Sequence, residues 1–211
     1  MRMPKQSIWL FVVVFAVVAS VAEGSVSEID VELRVLDAAY GSDHMSDAIF
    51  APYLSITEFG GNTCAAEVWM RDVGTITSGV TGGFVDIDYT TAFADATTIY
   101  HGTIYMVLAG GSINDPAGLV DNLGGATMNS GEGASDWVRL GYVQFGGVGA
   151  SPVTFTLTAG AAQFSQVGAG NVDWPLVNFT GTPHTVLPEP GVLCLFLAGS
   201  ILSLVRRKRR R

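Results

Sequence analysis

Three aspartates come nearest to a reactive cluster in this 211-residue chain. Asp86 and Asp88 stand two residues apart in Val85-Asp86-Ile87-Asp88-Tyr89, and Asp95 follows seven residues later. Two-residue spacing on a strand puts both carboxylates on one face, where they could share a calcium ion. The ordered ligand loop of a strong calcium site is missing, and the competing reading is the solvated outer face of a strand. As a general acid and base the pair would need burial that such a face does not give. The histidines His44, His101 and His184 have no second histidine at ligand spacing, so zinc is not expected. Nothing resembles a Ser/His/Asp elbow or a phosphate-cradling glycine loop. Cys64 and Cys194 lie in such different surroundings that no disulfide is expected between them, and Cys64 reads as a small buried apolar side chain. The expectation is a non-enzyme with no cofactor, calcium at Asp86 and Asp88 being the alternative to a solvated strand face.

Aromatic residues could serve recognition instead. A glycan platform needs two or three coplanar exposed rings, whereas core packing accounts for most aromatic residues of a β-sandwich. Among Trp69, Trp137 and Trp174, the last stands between Asp173 and Pro175 in a loop-like stretch and is the candidate for glycan contact.

The elements that must position these residues are strands. No body segment sustains helical periodicity, whereas period-two alternation recurs. Ile29, Val31, Leu33 and Val35 alternate with Asp30, Glu32 and Arg34, and Val85, Ile87 and Tyr89 with Asp86 and Asp88. Val138, Leu140 and Tyr142 alternate with Arg139 and Gly141, and Val153, Phe155 and Leu157 with Thr154 and Thr156. Gly60-Gly61-Asn62, Gly82-Gly83, Gly110-Gly111-Ser112, Gly124-Gly125 and Gly146-Gly147 read as turns between strands. Residues 115–123 suggest a short helical turn. Many short strands so punctuated predict an all-β, jelly-roll-like sandwich.

Charge excludes one class of partner. With Glu23 and Glu189 assigned to the processing regions, the body holds three basic residues, Arg34, Arg71 and Arg139, against seventeen acidic ones. A net charge of about −14 repels nucleic acid and anionic lipid, so neither is expected to bind the body.

The two ends indicate export. Arg2 and Lys5 precede an apolar run over residues 8–21, and Ser20-Val21-Ala22 supplies the small residues that signal peptidase takes, with cleavage after Ala22. A retained anchor helix is the alternative. At the other end, Leu187-Pro188-Glu189-Pro190 precedes an uncharged stretch, 191–205, and the cluster Arg206, Arg207, Lys208, Arg209, Arg210 and Arg211. Fifteen helical residues span about 22 Å against a hydrocarbon core of about 30 Å, a gap that snorkelling arginines or local thinning can close. By the positive-inside rule the basic cluster stays cytoplasmic and the body lies on the outer side.

The order of Pro188-Glu189-Pro190, apolar span and arginine cluster resembles the PEP-CTERM sorting signal. That resemblance implies an exosortase-type transpeptidase as processing partner, cleavage near residues 188–190, transient anchoring in the inner membrane, and delivery to the cell surface or an extracellular matrix. The sortase LPxTG signal ranks second, because Pro190 stands where threonine is required. The expected layout is a signal helix over 1–22, a β-sandwich over 23–180, a spacer over 181–187, and a sorting signal with a transmembrane helix over 188–211.

The body carries a second resemblance. Glu67-Val68-Trp69-Met70, then a strand ending in Tyr89, then Leu140-Gly141-Tyr142-Val143-Gln144-Phe145, and a closing hairpin from Val153, follow the order of a cohesin-type domain. Cohesins are jelly-roll sandwiches related in fold to certain carbohydrate-binding modules, and their partners are calcium-loaded dockerins. The resemblance therefore implies a binding module for a dockerin-like protein; the alternative is a carbohydrate-binding module for surface polysaccharide. Thr90-Thr91 departs from the family's Asp-Pro after the strand tyrosine, so the partner-facing surface does not carry over.

Overall fold

A computed structural model describes residues 28–37, 55–75, 79–92, 94–128, 131, 133–134, 136–148, 151–160, 164–166, 170–172 and 176–188. The expected signal segment with Ala22, the tail from Glu189 and Pro190 through Arg206, Arg207, Lys208, Arg209, Arg210 and Arg211, and also His44 and Trp174 lie outside these residues. Among the described residues no helix is long and apolar enough to cross a membrane.

The alternation foreseen at Ile29 becomes β1 (Ile29–Asp37), with Ile29, Val31, Leu33 and Val35 buried. It pairs antiparallel with β2 (Cys64–Asp72) along its whole length. β3 (Val80–Tyr89), β4 (Asp95–His101) and β5 (Val107–Asn114) follow. After a single 3-10 turn, Asp115–Ala117, come β6 (Leu119–Ala126), β7 (Val138–Gly146) and β8 (Val153–Ala159). The short strands β9 (Phe164–Gln166), β10 (Gly170–Val172), β11 (Val177–Thr180) and β12 (His184–Val186) complete the set.

Two sheets face each other. One has the order β11-β1-β2-β7-β4, with β11 parallel to β1. The other runs β10-β9-β3-β6-β5, and β8, flanked by β12, pairs with the later half of β3. The chain crosses between sheets after β2, β3, β4, β6, β7, β10 and β11, which gives the expected jelly-roll-like sandwich. An aromatic seam joins the layers: Phe145 of β7 meets Tyr89 of β3 and Phe155 of β8 edge-on, each at 4.9 Å. The Tyr89 hydroxyl donates to Asp115, whose carboxylate also accepts the Ala96 N–H at 2.9 Å, so the ends of β3 and β4 are tied together.

Four expectations are corrected. Residues 115–123 are helical only over Asp115–Ala117, because β6 begins at Leu119 and pairs with β3 and β5. The strand from Val153 forms no hairpin, since β8 pairs with β3 and β12, neither of them its neighbour in sequence. Residues 181–187 are no spacer, since His184–Val186 forms β12 and Val186 is fully buried.

The fourth correction concerns glycine. Gly82-Gly83, Gly110-Gly111 and Gly124-Gly125 lie inside β3, β5 and β6, where Gly83 pairs with Gly125 and Gly110 with Gly124. These glycines permit close approach rather than turning. A Cβ on Gly124 would lie 2.0 Å from the Gly83 carbonyl oxygen, and one on Gly83 would strike the buried Phe164 ring at 2.3 Å. Gly124→Ala is expected to lower stability by about 1–3 kcal/mol or more through overpacking. Gly61→Ala, with nothing within 4 Å, should leave the urea midpoint unchanged.

Candidate functional site

Of the three aspartates, Asp86 and Asp88 point outward from β3 as the alternation requires, while Asp95 begins β4 in the other sheet. A third carboxylate, Asp121, approaches from β6. Register between β3 and β6 shifts between Val85 and Ile87, so two β6 residues, Asp121 and Asn122, oppose Asp86. Asn122 takes a left-handed φ of 54° there. Its backbone N–H donates to Asp86 at 2.7 Å and its side-chain amide donates to Asp121 at 2.7 Å. Burial raises the Asp86 pKa, with the Asp121 and Asp88 charges adding to the rise and the Asn122 N–H opposing it. Asp88 is exposed and accepts the Thr158 hydroxyl at 3.2 Å. Among the described residues no three His, Cys, Asp or Glu side chains are grouped to hold a metal ion.

Around this group the outer face of β8-β3-β6-β5 is low and open. Thr154, Thr156 and Thr158 project from β8, with Thr154 and Thr185 of β12 sharing a hydroxyl hydrogen bond of 2.9 Å. Ser112 of β5 stands opposite Asp121, and the paired Gly110 and Gly124 add no side chain. At the end of β5 and β6 away from the 3-10 turn, Met106, Leu108 and Met128 are 61%, 79% and 86% exposed. The three body arginines all belong to strands of the other sheet, so this face is acidic without cations of its own.

The outer face of β11-β1-β2-β7-β4 is built in the opposite way. Glu67 of β2 and Arg139 of β7 form an ion pair of 2.9 Å with side chains only 2% and 6% exposed. The Trp69 indole N–H donates to the second Glu67 oxygen at 2.9 Å. The Arg139 guanidinium lies 5.1 Å from the centre of the Tyr142 ring, which stacks on Tyr100 at 4.5 Å. Further along, Arg71 binds Asp30 through Nε at 3.0 Å and Nη2 at 2.7 Å, and covers Trp137 at 4.6 Å. Asn178 of β11 donates to Asp30 and Glu28, and Arg34 pairs with Glu32 at 2.8 Å. Each of the three arginines is thus paired with a carboxylate on this face.

Sequence alternation placed Tyr142 with Val138 and Leu140, but Tyr142 faces outward. Arg139 pairs with Trp69 and Gly141 with the adjacent Val68, so Leu140 is an extra residue that reverses the side-chain parity of β7. Glu67 and Arg139, 72 residues apart, were not singled out from the sequence. Their signal was the scarcity of cations, Arg139 being one of only three in the body. Cys64 is buried as expected, and burial pushes its thiol up to about 12, a poor nucleophile. Trp69 is buried and Trp137 lies beneath Arg71, so neither offers an open ring face.

No protein-family model matches the chain, and no curated protein matches it. Solved structures that it is similar to include cohesin domains. The seventh ScaB type I cohesin of Pseudobacteroides cellulosolvens is 10% identical, over 77% of this chain and 92% of that one, with a TM-score of 0.49. The Coh-OlpC–Doc435 type I cohesin–dockerin complex of Clostridium thermocellum gives 12% identity, 75% and 93% coverage, and 0.49. A non-cellulosomal cohesin of the archaeon Archaeoglobus fulgidus gives 12%, 72% and 86%, and 0.45. These values record a likeness; the sandwich itself rests on the strand pairing above.

Two outcomes test the two faces. Glu67→Gln or Arg139→Met leaves its partner's charge buried and uncompensated, which should cost about 3–5 kcal/mol in urea unfolding, while the double variant Glu67→Leu/Arg139→Met recovers most of it. On the open face, Asp86 holds its proton to higher pH when folded than its ordinary 3.8, so its ionised form opposes folding at neutral pH. Asp86→Asn should therefore raise the urea midpoint at pH 7. The gain should shrink as pH falls through the folded-state pKa toward 3.8, below which both states are protonated.

Proposed function

We propose that this chain is an exported, surface-sorted binding module without catalytic activity, which docks a dockerin-like protein on the outer face of β8-β3-β6-β5. The observation that carries the reading is the contrast between the two outer faces. One is closed by buried ion pairs and stacked rings, and its charges are mutually satisfied. The other presents Asp86, Asp88 and Asp121 among threonines and bare glycine backbone, with no cation to neutralise them. A face of that kind suits a partner bearing lysine or arginine, with association that weakens as salt rises.

Export and sorting are supported by the sequence at both ends: the basic start and apolar run before Ala22, and Pro188-Glu189-Pro190 before the apolar span and arginine cluster. In this reading the chain is held transiently in the inner membrane by its C-terminal helix. Signal peptidase and an exosortase-type transpeptidase then release the body to the cell surface or matrix. Thiol nucleophilic catalysis is disfavoured at Cys64, whose burial pushes its pKa up to about 12. The polysaccharide alternative loses Trp69 and Trp137 as stacking surfaces and rests on Trp174.

The test is binding of the full chain to a calcium-loaded dockerin module and to extracellular polysaccharide, comparing wild type with Asp88→Lys and Tyr100→Ala. Asp88→Lys should weaken dockerin binding at least tenfold, and Tyr100→Ala on the closed face should leave it unchanged. Binding insensitive to Asp88→Lys would remove this face from the account, and retention on polysaccharide alone would replace the partner.

A further inference from the structure

The chain leaves the sandwich through a clamp. β12 pairs with β8, His184 opposite Phe155 and Val186 opposite Val153, and Val186 is fully buried. One residue on, Leu187 donates its N–H to the Thr57 carbonyl at 2.9 Å and accepts the Phe59 N–H at 3.0 Å, in a parallel bridge to Glu58. The gripping segment is itself held: Ile56 donates to the Val35 carbonyl of β1 at 2.8 Å, and Phe59 is buried. A His184 ring nitrogen lies 2.8 Å from the Ile56 carbonyl oxygen. Pro188 is buried as well. Residues 184–188 are therefore fixed between β8 on one side and 56–59 on the other.

Pro188 is also the first residue of the Pro188-Glu189-Pro190 motif. Enzymes that cut or transfer a peptide bond commonly take the chain in extended form and bond its backbone over several residues. For any bond within 188–190, the residues that must enter the enzyme include Leu187, whose N–H and C=O are already used. We propose that the folded domain holds the start of its own sorting motif, so that processing waits on local opening of the β12 end. Resting on the sorting function proposed above, this assigns to 56–59 the role of a gate whose opening sets the processing rate. Such local opening is independent of global unfolding and occurs where few bonds hold a terminal segment.

The experiment uses the full chain in membranes with an exosortase-type transpeptidase. Six Gly/Ser residues inserted between Leu187 and Pro188 carry the intact motif clear of the clamp. Processing should become about tenfold faster or more, as expected when a pre-opening step is removed. Val186→Ala, which loosens β12, should shift the native chain in the same direction by a smaller factor. Equal, measurable rates for native and linker chains would overturn the gate. Processing of neither chain would count against the sorting reading instead. The clamp is then decided by amide hydrogen exchange: Leu187 and Phe59 protected like Phe155 would uphold it, and free exchange at Leu187 would refute it.

Discussion

The Glu67–Arg139 pair is the interaction on which the arrangement of the two faces depends. β2 is buried along nearly its whole length, on the outer side as well as the core side, and so reads as a central strand in both directions. A carboxylate there can remain only if a cation meets it, because an isolated buried charge would cost far more than the strand gains from pairing. Arg139 meets it because β7 carries the extra residue Leu140, which stays in the core while Arg139 and Tyr142 both turn outward. Trp69 takes the second Glu67 oxygen, and Tyr142 lies against the guanidinium. The bulge, the ion pair and the aromatic stack are one solution to a single desolvation problem.

That solution leaves the molecule two-sided. With every body arginine committed to one sheet, the carboxylates of the other have only N–H and hydroxyl donors around them. Asp86 illustrates the result: it sits beside Asp121 and Asp88, and its pKa rises even though a backbone N–H supports its charge. A protein selected for stability alone gains nothing from such a cluster. A partner with complementary charge would relieve it. The C-terminal exit follows the same economy of structure, since β12 both completes the sheet beside β8 and fixes the chain that leads to the tail.

What could be read from the sequence was what is local. Alternation at β1, β3 and β8 reports burial directly, because side chains two apart share a face whatever the strand pairs with. The same rule failed at Tyr142, where one inserted residue reversed the face, and insertion is a property of the partner strand's register. Glycine pairs were misread for a related reason: Gly83, Gly124 and Gly125 serve close approach to Phe164, Gly83 and Tyr105, all distant in sequence, and no local pattern separates that use from a turn. Asp121 and Arg139 joined their sites through pairings 35 and 72 residues long, which only the folded register reveals. The stretch 181–187 looked like a linker from its threonines and Pro183, yet Val186 fills a place in the core.

The most direct test of the two-faced account is an amide hydrogen-exchange footprint of the body with and without its protein partner bound. Slowed exchange confined to β8, β3, β6 and β5 around Asp86, Asp88, Asp121 and Thr156, with β2 and β7 unchanged, is the result the account predicts. A footprint centred on Tyr100, Tyr142 and Arg71 would contradict it.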